Sequence, residues 1–203
     1  MDEGYIKFNC IWQKVDNQIS EEIFSQLESA RSKLYSLGLI GMYPDGIGFG
    51  NISVRGGDAG NFFISGSATG EFVSLRPSDY SLVTGYQLNE NTVFCTGQTK
   101  ASSESLTHAA VYQSIPEVGA VVHVHSLWLW EKLLDHFPST LAEIEYGTPE
   151  MAFAVGQLAF TIKEGEEKII VMGGHREGIL AFGTTLAGAT GEVIKIFNQY
   201  KYD

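Results

Sequence analysis

The run Gly119-Ala120-Val121-Val122-His123-Val124-His125 does more than any other stretch to limit how this chain can fold. Apolar residues lead into two histidines flanking a valine, which fits an extended strand, where successive side chains alternate faces. Val124 then serves one side of a sheet while His123 and His125 leave the other side together, close enough to share one ion. A second apolar run, Ile169 to Met172, is followed by Gly173-Gly174 and then His175. The two glycines let the backbone turn closely, and His175 can complete a three-histidine set. Such a set leaves a coordination position open to substrate, so the pattern predicts a catalytic metal site with His123, His125 and His175 as ligands. Zinc is the default ion, and another divalent transition metal also suits imidazole. An isolated histidine is more often a hydrogen-bonded core or surface residue. The clustering of three of the chain's five histidines is what favours a metal.

The chain has 203 residues, 44% of them hydrophobic, which suits a single domain over 1–203 with a substantial core. A net charge of −11 works against a polyphosphate backbone, so nucleic acid is not an expected partner. No apolar stretch approaches the roughly 20 residues that span a bilayer, so no membrane partner is expected. The acidic start Met1-Asp2-Glu3 stands where a secretory signal would be basic, and a cytoplasmic protein is expected. Cys10 and Cys95 have no metal-site spacing and read as two reduced, separate thiols.

Ser20 before Glu21 and Glu22 reads as an N-cap, and Ile23, Leu27, Ala30, Leu34 and Leu37 continue at helical spacing up to Gly38. A glycine-rich region follows, with extended segments at Asn51 to Val54 and Asn61 to Ile64 and a hairpin turn at Gly56-Gly57. A strand is expected around Thr92 to Cys95, then a helix capped by Ser102 or Ser103 and running to about Gln113 before Pro116. Past the histidine strand come helical segments at Leu127 to Leu134 and Pro149 to Ile162, the latter with Thr148 as N-cap. Strands at Ile169 to Met172 and Gly178 to Phe182 precede a last helix from about Thr185 to Tyr200. Helices and strands interspersed in this way predict a layered α/β domain.

Glu104 falls in the first turn of the helix after Ser102-Ser103, which by itself is an ordinary place for a carboxylate near a helix dipole. His108 lies four residues on, on the same helix face, where it can orient Glu104 or simply pack in the core, the more ordinary role.

Taken together, Gly50-Asn51-Ile52-Ser53-Val54-Arg55, Ser102-Ser103-Glu104 with His108 and Tyr112, Val121 to Ser126, Gly147-Thr148-Pro149-Glu150 and Gly174-His175 resemble, in order and spacing, the class II aldolase/adducin family. The resemblance covers about residues 20–200. It implies a three-layer α/β/α fold around a largely antiparallel sheet, zinc on His123, His125 and His175, and a homotetramer with sites at subunit interfaces. It also implies Glu104 as the general acid/base, able to touch the metal when substrate is absent. Anchoring of a substrate phosphate is implied for Asn51, Ser65, Gly66, Ser67, Ser102 and Ser103, which is chemically reasonable because hydroxyls, an amide and glycine-exposed N–H groups make a donor nest. The loop Ser65-Gly66-Ser67-Ala68-Thr69-Gly70 replaces the family's commoner Thr-Pro-Ser-Gly type, so a different anion fits as well.

The function implied is a zinc-dependent aldolase that makes or breaks a carbon–carbon bond in a small phosphorylated ketose or related hydroxy-carbonyl compound. A sugar-phosphate dehydratase or epimerase of the same family, or a non-catalytic adducin-like module, stands as the alternative. Retention of all three histidines and Glu104 counts against the last. Two departures leave substrate choice open. The segment 126–147, where the family carries a catalytic tyrosine donated across the interface, looks shortened, and Tyr146 aligns with a different position. Arg176-Glu177 is inserted between His175 and Gly178, where the two charges read most simply as a surface ion pair.

Overall fold

The computed structural model describes residues 8–16, 19–57 and 60–201, so the acidic start of the chain lies outside the described residues. Its principal element is an eight-stranded sheet in the order β1-β7-β6-β5-β4-β8-β10-β9. The strands are β1 (Asn9–Lys14), β4 (Asn51–Arg55), β5 (Phe62–Ser65), β6 (Tyr80–Gln87), β7 (Thr92–Gly97), β8 (Ala120–His125), β9 (Ile169–Val171) and β10 (Gly178–Gly183). Neighbours run antiparallel except β1 and β7, which are parallel. A separate small hairpin joins β2 (Gly41–Met42) to β3 (Gly48–Phe49). The described residues also form five α-helices, α1 (Glu21–Ser36), α2 (Ser105–Ser114), α3 (Leu127–Leu133), α4 (Pro149–Thr161) and α5 (Leu186–Lys201), and two short 3-10 turns at Pro77–Asp79 and Leu88–Glu90. The fold is therefore mixed α/β on a mostly antiparallel sheet.

Strand β8 is buried along its whole length between β4 and β10, and it sorts its side chains by the two-residue period read from the sequence. Ala120, Val122 and Val124 pack with Leu27 and Leu34 of α1, Leu129 of α3 and Val193 and Ile196 of α5. Val121, on the opposite face, packs with Leu106 and Ala109 of α2 and Met151 and Val155 of α4. Full burial of a valine is worth about 1.5–3 kcal/mol, so a one-residue slip of this strand would forfeit several such contacts and turn both histidines away from α2. The face carrying His123 and His125 is the one over which α2 begins.

The caps act where expected. Ser20 Oγ accepts from the Ile23 N–H of α1, and Thr148 Oγ1 accepts from the Met151 N–H of α4. Helix α2 does not begin at a serine cap. Ser105 donates both its backbone N–H and its hydroxyl to the Ser102 carbonyl, so Ser102 to Glu104 form a separate turn and the helix starts at Ser105. The connection from β4 to β5 is also longer than a two-residue Gly56-Gly57 turn; it is closed by the Gly56 N–H on the Asn61 carbonyl. Nor are the cysteines separate. Parallel pairing of β1 with β7 brings the Cys10 and Cys95 sulfurs to 3.7 Å, as free thiols. Among the described residues, no helix is long and apolar enough to cross a membrane.

Candidate metal and active site

His123 and His125 emerge from the end of β8, and His175 comes from the tight loop between β9 and β10. That loop is closed by the His175 N–H on the Met172 carbonyl and the Gly178 N–H on the His175 carbonyl. Its approach to the segment 140–144 demands glycine, because a Cβ on Gly174 would lie 1.7 Å from the Ile144 carbonyl oxygen. One ligand atom from each of the three rings lies within 4.8 Å of the other two. The Nε2 atoms of His123 and His125 are 2.9 Å apart, and all three side chains are buried.

Burial drives the His123 and His125 rings well below the ordinary histidine range, with the neighbouring imidazoles adding to the effect, so both are neutral bases. Neutral imidazoles converging on one point from which water is largely excluded are what a divalent ion requires, and the residues present fit such a group.

Glu104 stands just ahead of α2 with φ −95° and ψ 10°, in the sparsely populated bridge between helix and strand conformations. This backbone turns its carboxylate toward the histidines instead of along a helix. Oε2 accepts from the Thr107 hydroxyl at 2.8 Å, while the buried Oε1 lies 3.9 Å from His175 Nδ1 and takes no hydrogen bond among the described residues. Thr107, which sequence reasoning did not single out, thus does the orienting that the sequence offered to His108.

His108 is a core residue. Its Nδ1 is 2.7 Å from Ser53 Oγ, which is in turn 2.8 Å from the Tyr112 hydroxyl. Burial pushes this ring from 6.5 down to about 3, which makes a stability prediction. Between those values the unfolded chain binds a proton that the folded chain refuses, so the contribution is intact above 6.5 and is lost as the pH falls toward 3. The slope is about 1.4 kcal/mol per pH unit for one such group. Urea unfolding at pH 7 and pH 5 should show a loss about 2 kcal/mol smaller in a His108→Gln chain than in wild type.

A depression beside the histidines is lined by Asn51, Gly66, Ser67, Ser102, Ser103 and Glu104, together with Phe49 and Tyr146. Asn51 lies opposite His123 in the β4–β8 register. Gly66 is a forced choice, since a Cβ there would meet the Thr99 side chain at 2.3 Å. Arg31, buried in α1, donates to the carbonyls of Thr69 and Val73 and so holds the loop that forms the rim. Ser65 stands apart from the others: it is buried and does not line the depression, and its hydroxyl accepts the Ile52 N–H. The Ser102-Ser103 turn reaches the depression without being the helix terminus expected from the sequence.

Three aromatic side chains also frame the centre. Tyr146 stacks on His175 with ring centres 4.3 Å apart, and Phe49 stacks on His125 at 5.6 Å. Tyr43 reaches His125 Nδ1 with its hydroxyl at 2.9 Å. Tyr146 was visible in the sequence as the lone tyrosine of its segment. Tyr43 and Phe49 carried no signal there, because a small hairpin brings them in.

Comparison with known proteins follows the same lines. The model of the Class II Aldolase and Adducin N-terminal domain matches residues 44–197. A methylthioribulose-1-phosphate dehydratase of Leptospira interrogans is 32% identical over 106 residues, 49% of this chain. The match spans 43% of that relative's length. Among solved structures, the YgbL protein of Klebsiella pneumoniae superimposes with a TM-score of 0.68 at 19% identity, covering 92% of this chain and 90% of that one. The L-fuculose-1-phosphate aldolase of Thermus thermophilus gives 0.65 at 20% identity, covering 88% and 91%. At such identities these two likenesses speak for the fold.

Proposed function

This chain belongs to the class II aldolase and adducin family, and from that premise we propose that it is a metal-dependent lyase acting on a small phosphorylated ketose or related hydroxy-carbonyl compound. The observation that carries the reading is the convergence of His123, His125 and His175 with the Glu104 carboxylate 3.9 Å from His175, all buried at one end of the sheet. We take zinc as the ion, held by the three histidines with Glu104 alongside. When bound, it supplies a Lewis acid that polarises a substrate carbonyl.

The chain's own residues do the rest. Thr107 holds one carboxylate oxygen of Glu104 and leaves Oε1 to take and return the proton at the carbon beside that carbonyl. The Asn51 amide and the hydroxyls of Ser67, Ser102 and Ser103 bind the anionic end of the substrate. Gly66 lines the same wall, but its N–H is already given to the Asp79 carbonyl, so it contributes room and not the donor expected from the sequence. Ser65 supports them by fixing β4. In the cleavage direction the hydroxyl on the far side of the scissile carbon–carbon bond gives up its proton and becomes the aldehyde, the electron pair of the broken bond stays with the carbon beside the carbonyl, and a proton delivered to that carbon completes a three-carbon ketone phosphate.

We read the helices as covering both faces of the sheet in three layers, supported by the two separate hydrophobic clusters that flank β8. We read the protein as a homo-oligomer, a tetramer by family resemblance, supported by exposed Phe153, Phe160 and Leu141. A second reading, loss of water from a ketose 1-phosphate, is favoured by the likeness to the Leptospira dehydratase.

Metal analysis of the purified protein, combined with a screen of ketose 1-phosphates, separates these. Stoichiometric divalent metal with release of dihydroxyacetone phosphate supports the aldolase. Consumption of substrate without carbon–carbon cleavage selects the dehydratase, and a metal-loaded protein that consumes neither class overturns both.

A further inference from the structure

Tyr43 sits in the turn of the β2–β3 hairpin, pinned by its N–H on the Ile47 carbonyl and by the Gly46 N–H on its own carbonyl. Its ring packs on Phe49 at 4.4 Å between centres. Its hydroxyl lies 2.9 Å from His125 Nδ1 and 2.7 Å from Glu177 Oε2. Glu177 follows His175 by two residues, and its carboxylate does not turn to the adjacent Arg176 at the surface. Its side chain turns to Tyr43 from a backbone with φ +77°, a left-handed conformation that is costly for any residue carrying a Cβ. The Glu177 carbonyl also accepts the Ser126 N–H, which ties this loop to the residue following His125.

The direction of these hydrogen bonds follows from proton counting. A tyrosine hydroxyl has one proton, and a carboxylate can only accept. The hydroxyl therefore donates to Glu177 and offers its lone pair to His125, whose Nδ1 must carry the hydrogen. That leaves Nε2 of His125 as the lone-pair nitrogen, and Nε2 is the atom facing His123 at 2.9 Å. We propose that Tyr43 and Glu177 are positioning residues that hold His125 in the tautomer and ring orientation needed to ligate a divalent cation. The relay rests on the metal-centre reading above. It deepens that reading by giving a purpose to the left-handed backbone of Glu177 and to its contact with Tyr43.

The test compares wild type, Tyr43→Phe, Glu177→Gln and Glu177→Gly as full chains. Zn2+ and Co2+ affinities are measured by competition with a chromogenic chelator, together with the visible spectrum of the Co2+ form and the metal-free melting temperature. Loss of an outer partner of a metal-bound histidine costs roughly tenfold to hundredfold in affinity. Tyr43→Phe and Glu177→Gly should each show a loss of that size with an altered Co2+ spectrum. Glu177→Gly relieves the backbone and should melt no lower than wild type. Glu177→Gln keeps an acceptor for the hydroxyl and should restore most of the affinity.

Unchanged affinity in Tyr43→Phe and Glu177→Gly, beside a wild-type chain that does bind, overturns the relay alone. So does an affinity loss matched in both by a fall in metal-free melting temperature, which would make the contacts merely structural. Absence of binding by wild type overturns the metal centre and the relay with it.

Discussion

Replacing His123 with alanine is expected to leave a folded chain that no longer retains a divalent ion and shows none of the proposed lyase activity. The ring shares its face with Val121, whose apolar contacts with α2 and α4 the substitution leaves in place. The substitution takes away one of three nitrogens gathered within 4.8 Å. Removing an outer partner of a ligand costs up to about a hundredfold in affinity, so loss of the ligand itself should exceed that. Adding Zn2+ at about a thousand times its dissociation constant stabilises a binding protein by about 4 kcal/mol. A wild-type melting temperature that rises on adding Zn2+, beside a His123→Ala melting temperature that does not, checks the prediction without any substrate. His136→Ala, at an exposed histidine outside the cluster, should behave as wild type. Retention of the ion by His123→Ala would remove the ring from the site.

The three rings were legible because their signals are local. The period of two across Val121 to His125 fixes which face each residue takes, and the glycines before His175 announce a close backbone approach that the structure realises against Ile144. The helices with capping residues were legible for the same reason, a short-range hydrogen bond such as that of Ser20 or Thr148.

What escaped was non-local or irregular. Strand β6 breaks its alternation at a bulge between Val83 and Gly85, and β1 is an edge strand whose Ile11 faces solvent, so neither shows a clean hydrophobic period. The start of α2 was misplaced because Ser105, rather than Ser102 or Ser103, organises the turn before it. The difference has a chemical consequence. It moves Glu104 out of the helix and turns its carboxylate toward the rings. Tyr43 and Glu177 were illegible for a different reason: Tyr43 meets His125 across 82 residues of chain and Glu177 across 134, and no spacing rule links them.

Glu104→Gln separates the carboxylate's chemistry from its shape. The amide has the same size, and its oxygen can still accept from the Thr107 hydroxyl, so the side chain should stay in place at the start of α2. The three imidazoles are untouched, and metal content should remain close to wild type. What glutamine cannot do is accept a proton from carbon at neutral pH. General acid–base groups contribute about 10²- to 10⁴-fold, and turnover should fall by that factor while substrate affinity changes much less. The wild-type carboxylate is itself buried beside His175, where a positive ion would offset the cost of its charge. The metal-free Glu104→Gln chain, relieved of a buried charge, should therefore melt no lower than the metal-free wild type. A variant that lost ion and turnover together would make Glu104 a required ligand and leave the proton transfer to another group. A variant that kept both would place the reacting carbon away from this carboxylate.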